Sequence, residues 1–74
     1  MNKQGKLVRI TLKAARVNQG LTQKEAAEKL GISKDTVYNY EKGKTFPNEQ
    51  MIKKMEKLYN VGYDNLIFLP NDND

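Results

Sequence analysis

A set of polar side chains recurs at helical spacing in the middle of the chain and carries hydrogen-bonding groups of several kinds. Lysine supplies a cation with three donors, asparagine supplies donors and an acceptor, and aspartate supplies a charged acceptor. The members after the first follow it by 1, 4, 5 and 8 residues, which places the set on one exposed face of a helix. The face consists of Lys34, Asp35, Tyr38, Asn39 and Lys42.

The composition argues against an enzyme. The 74-residue chain contains neither histidine nor cysteine. It therefore lacks the usual general base at neutral pH, the usual zinc ligands, a thiol nucleophile and a disulfide. We predict no catalytic activity, no bound metal and no cofactor.

The charge balance favours a polyanionic partner. The chain has 13 basic and 9 acidic side chains, a net charge of +4. Two of the acids, Asp72 and Asp74, lie in the C-terminal tail, so 13 basic and 7 acidic side chains give residues 1–69 a charge of +6. Nucleic acid is the first candidate partner and an anionic membrane the second, while the simplest alternative is that the charge only keeps the protein soluble. No apolar run approaches the roughly 20 residues of a membrane span, and no apolar signal-peptide core follows the N-terminal lysines. We expect a cytoplasmic protein.

Two short helices separated by a tight turn would present the polar face. Thr22 and Glu25 have the spacing of a capping box, and Gly31 suits the left-handed residue that ends a helix. Ser33 then caps a second helix. Ala27 is small enough for the two helices to cross closely, and Val37 fills the angle between them. This is the arrangement of a helix-turn-helix, in which the second helix enters the DNA major groove.

The flanking segments complete one domain over residues 11–69. Thr11 predicts a helix over residues 12–18 or 12–19, and Asn48 predicts one that ends near Asn60. Residues 63–68 form either a short apolar helix or a turn. Residues 1–10 are expected to be weakly ordered, with a short extended segment near Ile10, and residues 70–74 to be a disordered acidic tail.

The sequence resembles the Cro/repressor-type, or XRE, helix-turn-helix proteins of phages and bacteria over about residues 11–67. The resemblance implies an all-α, compact five-helix fold like that of lambda repressor, which binds double-stranded operator DNA, usually as a dimer on a palindromic site. The expected function is transcription regulation, most simply repression by occupying the operator. The alternative is a protein-interaction module, an antitoxin or adaptor, on the same fold. The matching residues are Arg16, Leu21, Thr22, Gln23, Ala27, Gly31, Ile32, Ser33, Val37, Tyr40, Glu41, Lys42, Gly43 and Pro47.

The resemblance also implies roles for individual residues. Lys34 suits guanine and Asn39 suits adenine, whereas Asp35 either accepts from cytosine or only stabilises the start of its helix. The alternative for the lysines is that they are ordinary solvated side chains without a DNA contact. Arg16 and Glu41 match two residues that form an ion pair in family members. This pair joins the first helix of the domain to the end of the recognition helix, which is the second helix of the helix-turn-helix. Base-contacting positions are Ser33, Lys34, Asp35, Tyr38 and Asn39, and phosphate-contacting positions are Gln23, Lys42, Lys44 and Thr45.

The apolar C-terminal segment has two interpretations. Leu66 to Leu69 either fold back onto the core, or Tyr63, Ile67 and Phe68 form a homodimer contact. A dimer would link two half-sites and so raise the affinity of a domain that makes few base contacts. The chain is expected to be either a complete Cro-like regulator or the DNA-binding part of a longer repressor.

Overall fold

A computed structural model describes residues 9–68. The tail predicted at residues 70–74, and residues 1–8 of the predicted weakly ordered segment, lie outside the described residues. The elements in chain order are strand β1 (Ile10–Thr11), helices α1 (Leu12–Asn18), α2 (Gln23–Leu30), α3 (Lys34–Lys42) and α4 (Glu49–Tyr59), a single 3-10 turn (Tyr63–Asn65) and strand β2 (Leu66–Ile67).

Each α-helix begins at a side chain that caps its first turn. Thr11, Thr22, Ser33 and Asn48 each accept a hydrogen bond from the backbone N–H three residues later. At α2 the bond is reciprocal, since Glu25 N–H donates to Thr22 Oγ1 at 3.0 Å and Thr22 N–H donates to the Glu25 carboxylate at 2.9 Å. The donated bond from Thr22 lowers the pKa of Glu25. The predicted capping box is confirmed.

The turn between α2 and α3 depends on Gly31. This residue has φ of 76° and ψ of 31°, in the left-handed region. The next residue continues the reversal, because Ile32 N–H donates to the Ala27 carbonyl at 3.0 Å. A Cβ built on Gly31 meets no atom within 4 Å, so the position restricts backbone conformation and not side-chain volume.

Replacing Gly31 with valine should lower the free energy of unfolding by about 1–2 kcal/mol, because a β-branched residue is strained at positive φ. Gly31→Asn is the matched control, since asparagine tolerates this conformation better. Urea denaturation of the two variants would measure the difference. Equal midpoints for Gly31→Val and the wild type would show that the turn does not need a left-handed residue.

The core lies where the four helices meet. Ala26 and Ala27 are 0% and 3% exposed, and their small side chains allow α2 to lie close to α3. Apolar residues from α1, α4 and β2 close the remaining sides. The buried apolar residues are Leu12, Ala15, Ala26, Ala27, Leu30, Val37, Met55, Tyr59 and Leu66.

The predicted count of five helices is not confirmed, although the helical fold is. Residues 9–68 contain four α-helices, and the segment after α4 forms only the 3-10 turn before it becomes extended. Here β2 pairs in parallel with β1, with Ile10 opposite Leu66 and Thr11 opposite Ile67. The extended backbone places Leu66 in the core, so this apolar side chain is buried without another helix. The predicted extended segment near Ile10 is present as β1. Across residues 9–68, no helix is long and apolar enough to cross a membrane.

Candidate nucleic-acid interface

The outer face of α3 carries the polar residues singled out from the sequence. Lys34, Asp35, Tyr38 and Lys42 are exposed, and Asn39 is half-buried. On the opposite face, Val37 is buried in the core. The helix therefore presents two cations, a carboxylate, an amide and a phenol toward solvent.

Ser33 lies at the start of this face and its hydroxyl is engaged in capping. It accepts from Thr36 N–H at 3.1 Å and lies 2.8 Å from the Thr36 hydroxyl oxygen. These two contacts use two of the three hydrogen-bonding sites of the Ser33 hydroxyl, so one site is left for a base.

A buried ion pair connects α3 to the body of the domain. Arg16 Nε donates to Glu41 Oε2 at 2.6 Å, and Arg16 Nη2 donates to Glu41 Oε1 at 3.1 Å. The two side chains are only 8% and 5% exposed. Arg16 Nη1 also donates to the Leu21 carbonyl at 2.8 Å, so the guanidinium spans α1, the connection before α2, and α3. Hydrogen bonding to the Glu41 carboxylate raises the pKa of Arg16 despite burial.

Gln23 joins this network from the first position of α2. Its Nε2 donates to Glu41 Oε1 at 3.1 Å. One carboxylate thus holds side chains from α1 and α2 against the last turn of α3. Tyr59 packs nearby, and burial, assisted by the Glu41 charge, raises its pKa to about 12. The ring therefore stays neutral beside the pair.

Tyr38 brings two candidate phosphate contacts together. The Lys42 and Lys44 ammonium groups lie 5.7 Å and 5.8 Å from the centroid of its ring, within range of cation–π attraction. The loop after α3 is fixed to the helix by its backbone, since Lys44 N–H donates to the Asn39 carbonyl at 2.9 Å and Thr45 N–H to the same oxygen at 3.5 Å. The side chains of Lys44 and Thr45 are exposed.

The structure adds Phe46 and Lys13 to the surface around α3. Phe46 is 63% exposed, and its ring centroid lies 4.8 Å from that of Phe68, which in turn lies 5.8 Å from Tyr63. We call these three residues the aromatic cluster. Phe46 directly follows Lys44 and Thr45, the loop residues predicted to contact phosphate, and this adjacency is visible in the sequence. Lys13 on α1 lines a cleft beside Tyr38 and Lys42, and only packing of α1 against α3 brings it there.

Comparisons with known proteins agree with this geometry. A family model described as helix-turn-helix matches residues 12–66, more than half of the chain. The HTH-type transcriptional regulator ImmR of Bacillus subtilis is 46% identical over 56 residues, which cover 76% of this chain and 44% of ImmR. The cryptic phage CTXphi transcriptional repressor RstR of Vibrio cholerae is 36% identical over 52 residues, covering 70% of this chain and 47% of RstR. An uncharacterized HTH-type transcriptional regulator of Methanocaldococcus jannaschii is 34% identical over 61 residues, covering 82% of this chain and 92% of that protein. The chain thus spans less than half the length of ImmR and of RstR.

Proposed function

Because the chain belongs to the XRE-type helix-turn-helix family of DNA-binding transcription regulators, we propose that it represses transcription by occupying a palindromic operator. The observation that carries the proposal is the polar face of α3, held outward by the buried Arg16–Glu41 pair. Occupying an operator requires binding and no chemical step, so the protein acts without catalysis. A role on DNA also assigns it to the cytoplasm.

Base recognition is assigned to the exposed side chains of α3. Lys34 stands at the first position of the helix and can donate to guanine O6 and N7. Asn39 lies one turn further along and can pair with adenine N6 and N7. Asp35 is exposed in the first turn, where it can accept from cytosine N4. Ser33 and Tyr38 lie at the edges of this set.

Phosphate contacts are assigned to residues around the base-reading face. Lys42 and Lys44 carry exposed cations, and Thr45 follows them with an exposed hydroxyl. Gln23 is held in place by Glu41, and the backbone N–H groups at the start of α2 suit a phosphate oxygen. These contacts would fix the register of α3 on the duplex without reading sequence.

Replacing Lys42 with alanine should weaken binding to every duplex sequence alike. Loss of one phosphate contact lowers the slope of log affinity against log salt concentration by about 0.9. Lys54→Ala, which removes an exposed lysine from α4, serves as the control. Binding isotherms at several salt concentrations would measure both slopes. An effect of Lys42→Ala confined to one base position would contradict the phosphate assignment.

A second copy of the chain is the partner proposed for the aromatic cluster and the adjoining Ile67. The two-fold axis of a palindromic site passes between its half-sites, so the surface that joins two copies must border the DNA-contacting face. The cluster meets this requirement, because Phe46 follows Thr45 directly. It also exposes apolar area, with Tyr63 51% exposed, and adjoins a groove of about 440 Å³ lined in part by Ile52.

Selection of bound sequences from random duplex DNA, repeated at two salt concentrations, tests the proposed function. Enrichment of a palindrome is the expected result and would support both sequence-specific binding and the dimer. Enrichment of a single half-site would support sequence-specific binding and contradict the proposal of a palindromic operator. No enrichment would contradict the proposed role as a sequence-specific regulator and favour a protein-interaction module. Sedimentation of Tyr63→Ser beside the wild type would test the dimer separately, since the variant should dissociate at higher protein concentration.

A further inference from the structure

We infer that a cleft between α1, α2 and α3 holds one backbone phosphate of the bound DNA, and that Lys13 is a further phosphate-contacting residue. The inference rests on the proposed DNA-binding function and adds to it a contact from α1. The cleft has a volume of about 270 Å³. A water molecule occupies about 30 Å³ in the liquid, so a phosphate group and neighbouring waters fit. The lining residues are Thr11, Lys13, Gln23, Tyr38, Glu41 and Lys42.

The charges around the cleft favour an anion. Lys13 and Lys42 contribute two exposed cations from different helices. Tyr38 holds the Lys42 ammonium over its ring at 5.7 Å, which keeps this cation at the side of the cleft. Two positive groups from different helices suit a phosphodiester, which carries one negative charge and two unesterified oxygens.

Glu41 is the acidic residue of the lining, and its charge is already compensated. Its carboxylate accepts two bonds from the Arg16 guanidinium and one from Gln23 Nε2. Because the Arg16 guanidinium lies against this carboxylate, the pair is nearly neutral and its net repulsion of an incoming phosphate is small.

Neutral donors complete the cleft. The Thr11 hydroxyl oxygen accepts from Ala14 N–H at 3.1 Å, which leaves its own O–H able to donate. Gln23 Nε2 has a second N–H beyond the one that Glu41 accepts. The cleft therefore combines two cations with polar N–H and O–H groups, which is the chemistry that phosphate requires.

The test replaces single phosphates of the selected duplex with uncharged methylphosphonates and measures affinity for the wild type, Lys13→Ala, Lys42→Ala and Lys54→Ala. The wild type should lose about two- to fivefold in affinity at one backbone position, and Lys13→Ala should lose clearly less there, because one of the two cations that sense this phosphate is gone. Lys42→Ala should show a reduced loss at the same position, for the same reason. Lys54→Ala, which changes an exposed lysine of α4, should keep the wild-type pattern.

The salt dependence provides a second measurement. Lys13→Ala should lower the slope by about 0.9, and Lys13→Gln should do the same while keeping a long polar side chain. A wild-type pattern and slope in both variants would overturn the inference and leave the proposed function standing. Sensitivity lost at different positions in Lys13→Ala and Lys42→Ala would overturn the shared phosphate. If the wild-type protein bound no duplex, both the inference and the proposed function would fall.

Discussion

Replacing Glu41 with alanine should lower the free energy of unfolding by about 3–5 kcal/mol, because the change leaves the Arg16 guanidinium buried without its counter-charge. Arg16 would keep its bond to the Leu21 carbonyl but lose both bonds to the carboxylate. Gln23 would lose its acceptor as well. A domain of this size has a total stability of roughly 4–11 kcal/mol, so the expected loss is a large share of the total.

Thermal and urea denaturation would measure this loss, with Glu28→Ala as the control because Glu28 is an exposed acid on α2. A surface substitution of that kind changes stability by no more than about 0.5 kcal/mol. The double variant Arg16→Met with Glu41→Leu removes both charges and should recover most of the stability. Equal melting of Glu41→Ala and Glu28→Ala would show that the pair contributes nothing to the fold.

The same double variant separates folding from recognition. Gln23 would have no carboxylate to hold it, so its phosphate contact should weaken even where the fold is restored. A stable double variant with reduced DNA affinity is therefore the expected result. Unchanged affinity would mean that Glu41 acts only on stability.

Replacing Asn39 with alanine should relax the preference for one base pair of the operator by about 1–3 kcal/mol. The amide can donate to and accept from a single adenine, and alanine can do neither. The Asn39 backbone is well fixed, since its carbonyl accepts from the N–H groups of Lys44 and Thr45. The side chain should therefore meet the same base in every copy of the complex.

Affinities for the selected operator and for duplexes changed at one position each would measure this preference. Asn18→Ala is the matched control, because it makes the same substitution on an exposed residue at the end of α1. Lys42→Ala gives the contrasting result, a uniform loss at all sequences. If Asn39→Ala ranked the duplexes as the wild type does, Asn39 would not be a base-contacting residue.

Several features of this protein were readable from the sequence because they depend on residues close together in the chain. Each helix cap joins a side chain to a backbone N–H three residues away, so Thr11, Thr22, Ser33 and Asn48 marked the helix starts. The polar face of α3 follows from helical periodicity in the same way. The absence of histidine and cysteine argued against catalysis and zinc binding from the sequence alone.

Other features were decided by tertiary packing, because they join residues that are distant in sequence. Pairing of Ile10 with Leu66 gave a strand in a segment for which the sequence predicted a short helix or a turn, and no local signal specifies that partner. The approach of α1 to α3 placed Lys13 beside Lys42 and formed the cleft. Contact between Phe46 and Phe68 formed the aromatic cluster in the same way. The sequence by itself determined the helices and their polar face, since local bonds and periodicity suffice for these. The family resemblance had already implied the Arg16–Glu41 pair that braces this face. The tertiary structure alone decided what surrounds the face, since packing brings together residues from distant parts of the chain.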